Sequence, residues 1–98
     1  MAVPLLTNHA HVLLCVARNP SIRLREIGDC VGVTERAAHR IVGDLEREGY
    51  LSRKRVGRRN LYEIREELPL CHELEAQVTV AQLVDLFSGD DAAPSAAA

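Results

Sequence analysis

Residues 22–64, IRLREIGDCVGVTERAAHRIVGDLEREGYLSRKRVGRRNLYEI, constrain the fold more than any other part of the chain. Leu24, Ile27 and Val31 recur at helical spacing, and Gly32 interrupts them. Ala38, Ile41, Val42 and Leu45 then resume the same period. Beyond Gly49 come two strand-like runs, residues 50–56 and 61–65, joined by Gly57-Arg58-Arg59-Asn60. Five of the seven residues 53–59 are basic: Arg53, Lys54, Arg55, Arg58 and Arg59. Crowding like charges onto one hairpin adds little to the stability of a small domain, and a polyphosphate partner would explain it. The plainer reading is a solvated basic hairpin.

The charge distribution sharpens the choice. Net charge is only −2. Residues 36–65, however, hold nine basic residues against four acids, and residues 66–98 hold seven acids and no Lys or Arg. Such segment asymmetry is more informative than the total. A chain of 98 residues allows one domain with a modest core, and Leu, Val, Ile and Ala must fill it, because only Tyr50, Tyr62 and Phe87 are aromatic.

The remaining elements follow from breakers and caps. Thr7 or Asn8 can cap a first helix over residues 9–17, carrying Val12, Leu13, Val16 and Ala17, and Asn19-Pro20 ends it. Residues 21–23 could form a short strand. A second helix covers residues 24–31, with Gly32 suited to a left-handed C-terminal position. Thr34 caps a third over residues 35–48. Residues 70–78 are ambiguous after Pro69, with Leu70, Leu74 and Val78 at helical spacing. Thr79 caps a last helix to residue 87, striped by Val80, Leu83, Val84 and Phe87 and ended by Gly89. The expected domain is residues 7–88, with a disordered tail over residues 89–98.

The third helix has two chemistries. Ala38, Ile41, Val42 and Leu45 form the stripe to bury. Arg36, His39, Arg40 and Gly43 follow i, i+3, i+4, i+7 spacing on another face, with Ala37 small enough to permit close approach. Arg36 and Arg40 can bond bidentately to a guanine edge or straddle phosphates, and His39 can hydrogen-bond a base. Thr34 and the helix N-terminus can offer amides to a phosphate, although a plain cap explains Thr34 equally well. On the hairpin, alternation puts Arg53 and Arg55 on one face and Lys54 on the other. Arg58 and Arg59, at the turn, can reach a minor groove or flanking phosphates. Asn60 reads as a turn former.

Other chemistry is sparse. Cys15, Cys30 and Cys71 have no metal-ribbon spacing, and Cys15 and Cys30 read as small apolar helix residues. Cys71-His72 and the His9/His11 pair do not make a ligand set, so neither metal nor cofactor is expected. Cys71 has no basic neighbour to activate it. No nucleophilic triad, phosphate-binding glycine loop or carboxylate pair is visible, and the expectation is a non-enzyme. No apolar run could span a bilayer, and the N-terminus lacks a signal-peptide pattern, which points to a cytoplasmic chain.

The segment LREIGDCVGVTERAAHRIVGDLEREGYL resembles the helix-turn-helix core of bacterial MarR- and ArsR-like regulators. Leu24-Arg25-Glu26-Ile27-Gly28 is similar to their scaffold helix. Val33-Thr34 is similar to the opening of the recognition helix. Leu45-Glu46, Gly49, Tyr50 and Leu51 are similar to the exit into the wing. The resemblance covers residues 9–65 and implies a mainly α fold with a small β-hairpin, a winged helix-turn-helix. It also implies a sequence-specific regulator on double-stranded DNA, with helix 35–48 in the major groove and wing 53–60 on the minor groove or phosphates. Its site residues would be Thr34, Arg36, His39, Arg40, Arg53, Arg55, Arg58 and Arg59. Two half-sites per duplex would favour a homodimer through the C-terminal and first helices. The competing reading is a winged-helix protein-interaction module with no DNA duty. Salt-dependent binding to duplex DNA separates the two.

Overall fold

Three of the helices among the described residues begin where a threonine hydroxyl accepts from one of their first amides. In the computed structural model, which describes residues 3–87, the Thr7 hydroxyl accepts from Ala10 N and opens α1 (Asn8–Arg18). The Thr34 hydroxyl accepts from Ala37 N at 3.0 Å and opens α3 (Glu35–Arg47). Between them lies α2 (Leu24–Val31), where the Glu26 carboxylate turns back to accept from Arg23 N at 3.0 Å. The hairpin follows as β1 (Leu51–Val56) and β2 (Arg59–Ile64), and α4 (Val80–Phe87) comes last. At α4, Gln82 N donates to the Thr79 hydroxyl and Thr79 N to the Gln82 side chain. That reciprocal cap stands where the sequence predicts it.

The chain divides into two compact units, residues 1–65 and 66–98. In the first, the three helices pack on one another and the hairpin joins α3 and α1. One core unites them. It takes Val12, Leu13, Cys15 and Val16 from α1, Ile27 from α2 and Ala38, Ile41, Val42 and Leu45 from α3, and it adds Ile22, Leu51 and Tyr62. From the hairpin, Leu51 and Tyr62 are buried, and Ile64 packs at the margin.

The joint between α2 and α3 is a glycine construction. Gly32 has φ +91° and lets both its own amide and that of Val33 bond back to Gly28 O, at 2.8 and 2.9 Å. Gly28 is buried, and a Cβ there would meet Val33 O at 2.7 Å. Only a residue without a side chain lets the turn fold so tightly over α2.

Three expectations need correction. Residues 21–23 do not form a strand. Ile22 N bonds Asn19 O and Arg23 N bonds Glu26, so turn and cap take the amides a ladder would use, and a single bond from Tyr62 N to Pro20 O (2.8 Å) is what reaches the hairpin. The hairpin turn is two residues, Gly57-Arg58, because Gly57 at φ +64° turns the chain quickly enough for Val56 to pair with Arg59. Asn60 therefore sits in β2 opposite Arg55 and is not a turn former. Cys30 is exposed near the end of α2, unlike buried Cys15, because the apolar face of that short helix runs through Leu24, Ile27 and Val31.

In the second unit the ambiguous residues 70–78 are a loop, not a helix. Pro69 and Thr79 form an antiparallel bridge, Leu70 N bonds Val78 O, and Leu74 is left exposed. In α4, Val80 and Val84 are buried, whereas Leu86 and Phe87 are 74% and 43% exposed. Gly89 and the tail over residues 89–98 lie outside the described residues.

Gly28→Ala is expected to lower stability by about 1–3 kcal/mol, as overpacking does. Gly43→Ala, in mid-helix with nothing within 4 Å of the added carbon, is expected to raise it by roughly 0.5–1 kcal/mol. Urea midpoints of the two variants check the contrast.

Candidate nucleic-acid interface

The buried stripe of α3 fixes which way its other face looks. With Ala38, Ile41, Val42 and Leu45 in the core, Arg36, His39 and Arg40 are exposed, and Gly43 is half-buried. None of the three exposed side chains has a hydrogen bond or ion pair among the described residues. Thr34 is exposed at the start of the same helix, with its hydroxyl engaged as the cap.

The hairpin arginines divide. Alternation does put Arg53 on the face shared by Leu51, Tyr62 and Ile64, which is the inward face. There its guanidinium bonds bidentately to Glu46 of α3, Nε to Oε2 and Nη2 to Oε1, both at 2.9 Å. It also lies beside the Tyr62 hydroxyl, which burial pushes above its ordinary pKa while Arg53 pulls the other way. Arg53 thus fastens the wing to α3 and is a poor candidate for the DNA contact predicted for it. Arg55 donates from Nε to Gly57 O at 3.2 Å, across the turn. Arg58 and Arg59 have no such partners among the described residues.

Arg58 and Arg59 instead line a groove of about 470 Å³ with Arg23, Arg25, Glu35, Asn60 and the buried Tyr62. Arg23 and Arg25 carry no ion pair or side-chain hydrogen bond among the described residues either. The sequence reading missed both. Their signal was present, since they flank Leu24, whose apolar side chain must turn inward. What sequence does not show is that the wing tip folds back to them.

A second missed contact sets the attitude of α3. His9 Nε2 of α1 lies 2.9 Å from Asp44 Oδ2, and Arg47 Nη2 bonds the other carboxylate oxygen. The hydrogen bond from His9, reinforced by Arg47, holds the Asp44 carboxyl below its ordinary pKa. His9 thus ties α1 to α3, whereas His11 reaches only Asn8 on its own helix.

The thiols do not suggest chemistry. Burial and a hydrogen bond with Cys30 push the Cys15 thiol up to about 12, so it stays protonated at neutral pH. No three His, Cys, Asp or Glu side chains converge on a metal-sized site among the described residues.

The sequence model of the MarR family matches residues 4–59, the span that holds the helix-turn-helix and most of the wing. The chain belongs to the MarR family. Its fold is similar to that of the PcaV transcriptional regulator of Streptomyces coelicolor, solved with its natural ligand. The TM-score is 0.55 and the identity 25%, over 84% of this chain and 60% of PcaV. This MarR-family chain therefore spans about three fifths of the length of that relative. No curated protein matches it. The fold is the expected winged helix, with four helices and a two-stranded antiparallel wing among the described residues. No helix among the described residues is long and apolar enough to cross a membrane.

The Asp44 contact has a pH signature. A depressed folded pKa contributes stability above the ordinary value of 3.8, and that contribution is lost as pH falls through the lower folded value. Asp44→Asn should therefore be less stable than the parent chain near neutrality. The gap should close in acid below the ordinary value. Denaturant titrations across that range check it.

Proposed function

We propose that this chain is a DNA-binding transcription regulator, not an enzyme, acting in the cytoplasm on double-stranded DNA. In this reading α3 enters the major groove, Arg36 and Arg40 bond guanine edges or phosphates, and His39 bonds a base. Thr34 and the first amides of α3 lie against a phosphate. Arg55, Arg58 and Arg59 carry the wing to the minor groove or the flanking backbone. The observation that carries it is the exposure of Arg36, His39 and Arg40, without partners among the described residues, on a helix whose opposite face is buried.

A homodimer through the C-terminal and first helices completes the reading, because two half-sites multiply a weak single grip. Leu86 and Phe87 of α4, and Val3 and Leu5 just before α1, are exposed apolar side chains suited to such an interface. The stripe Val12, Leu13 and Val16 is already committed to the chain's own core, so α1 would contribute its outer side. The same apolar exposure favours the alternative, a winged-helix protein-interaction module. Duplex binding that weakens steeply with salt decides against that alternative.

Selection of duplexes from a random pool is expected to yield a preferred sequence. Alanine at Arg36, His39 or Arg40 should then relax one position of each half-site, by about 1–3 kcal/mol for a bidentate contact. Uniform loss on every sequence would make these side chains phosphate clamps. For assembly, sedimentation at roughly ten micromolar should show a dimer, and truncation after Gln77 should leave a folded monomer that binds DNA poorly. A full-length monomer at that concentration would rule the dimer out.

A further inference from the structure

We propose that the groove between the start of α2 and the wing tip is a seat for the sugar-phosphate backbone, with Arg23 and Arg25 as DNA ligands outside both the recognition helix and the wing. The assignment rests on the DNA-binding reading and deepens it.

Four arginines from two distant parts of the sequence line this groove: Arg23 and Arg25 from the start of α2, Arg58 and Arg59 from the wing. Elsewhere on the same unit, two arginines lie against carboxylates, Arg47 on Asp44 and Arg53 on Glu46. Here the acid among the lining residues is Glu35, and it forms no ion pair with any of the four. Four positive charges facing one negative charge are mutually repulsive, and bound anions would relieve that. Arginine is well matched to phosphate, because its planar fork can bond two oxygens at once.

The seat is built into the fold. Pro20 O accepts from Tyr62 N at 2.8 Å, Ile22 and Tyr62 are buried beneath it, and Glu26 pins the backbone of Arg23. The two pairs of arginines are thus held in one place without any ligand. Position and charge select the ligand class. Glu35, the first residue of α3, lines the groove, so the groove borders the end of the helix proposed to enter DNA. A strand flanking the major-groove contact presents phosphodiesters there, each with a single charge. Glu35 opposes any anion, and it disfavours a small phosphate dianion more than a monoanionic diester.

The test uses the full-length chain, a duplex enriched by selection and a random-sequence duplex. Arg23→Gln/Arg25→Gln should weaken binding to both duplexes equally, by about tenfold or more, and reduce the log–log salt slope by about 1.8 for two lost contacts. Preference between the duplexes should stay unchanged. Glu35→Gln should strengthen binding to both, an effect that misfolding could not produce. Thermal melts of the variants should match the parent chain. If the double variant keeps the parent slope and affinity while Arg36→Ala loses base preference, the seat is wrong and the DNA reading stands. If the parent chain shows no salt-dependent duplex binding, both fall. If inorganic phosphate binds the parent chain but not the double variant, while both bind duplex with the same affinity and salt slope, the groove is a free-phosphate site and the backbone assignment is overturned.

Discussion

The close approach of α3's leading turn to Gly28 is the constraint on which the rest depends. A Cβ at that position would lie 2.7 Å from Val33 O. The missing side chain lets Val33 and Thr34 cross α2 at contact distance, and Gly32 in its left-handed conformation closes the turn. That crossing sets the angle of α3, which then buries Ala38, Ile41, Val42 and Leu45. The exposure of Arg36, His39 and Arg40 is a consequence of this burial. One backbone contact, made possible by one glycine, is upstream of the whole candidate DNA face.

Charge is distributed by the same packing. Arg53 falls on the inward face of β1, where Glu46 of α3 is within bidentate reach, and the pair anchors the wing to α3. Asp44 gathers His9 and Arg47 and couples α1 to α3. These ion pairs are at the surface, and each is worth little in isolation. Their effect is positional, because they hold wing and first helix against α3. Exposed arginines without partners among the described residues include Arg36 and Arg40 on α3 and Arg23, Arg25, Arg58 and Arg59 in the groove. The basic surface is therefore smaller and better placed than the basic composition implies.

The second unit obeys simpler rules. Pro69 and Thr79 pair across a loop, and the Thr79–Gln82 reciprocal cap starts α4. Val80 and Val84 are buried while Leu86 and Phe87 face outward, so one short helix carries both a core residue set and an apolar surface.

Local signals determined the elements. Threonine hydroxyls at Thr7, Thr34 and Thr79, glycines at Gly32, Gly49 and Gly57, and apolar spacing placed the helices, the wing and the core stripe of α3. Caps and left-handed positions act within a few residues, so they can be read without a fold. The candidate base-reading face was legible for the same reason, since helical spacing alone separates it from the buried stripe. Tertiary structure decided what depends on distant chain segments meeting. Nothing local tells that Arg53 will find Glu46, or that His9 will find Asp44. Nor does it show that Arg23 and Arg25 will share a groove with Arg58 and Arg59. The fate of residues 21–23 belongs with these: their extended run looked like a strand, but Asn19 and Glu26 claimed its amides. A charged side chain's role is set by the partner that packing brings within reach, and that partner lies on another element.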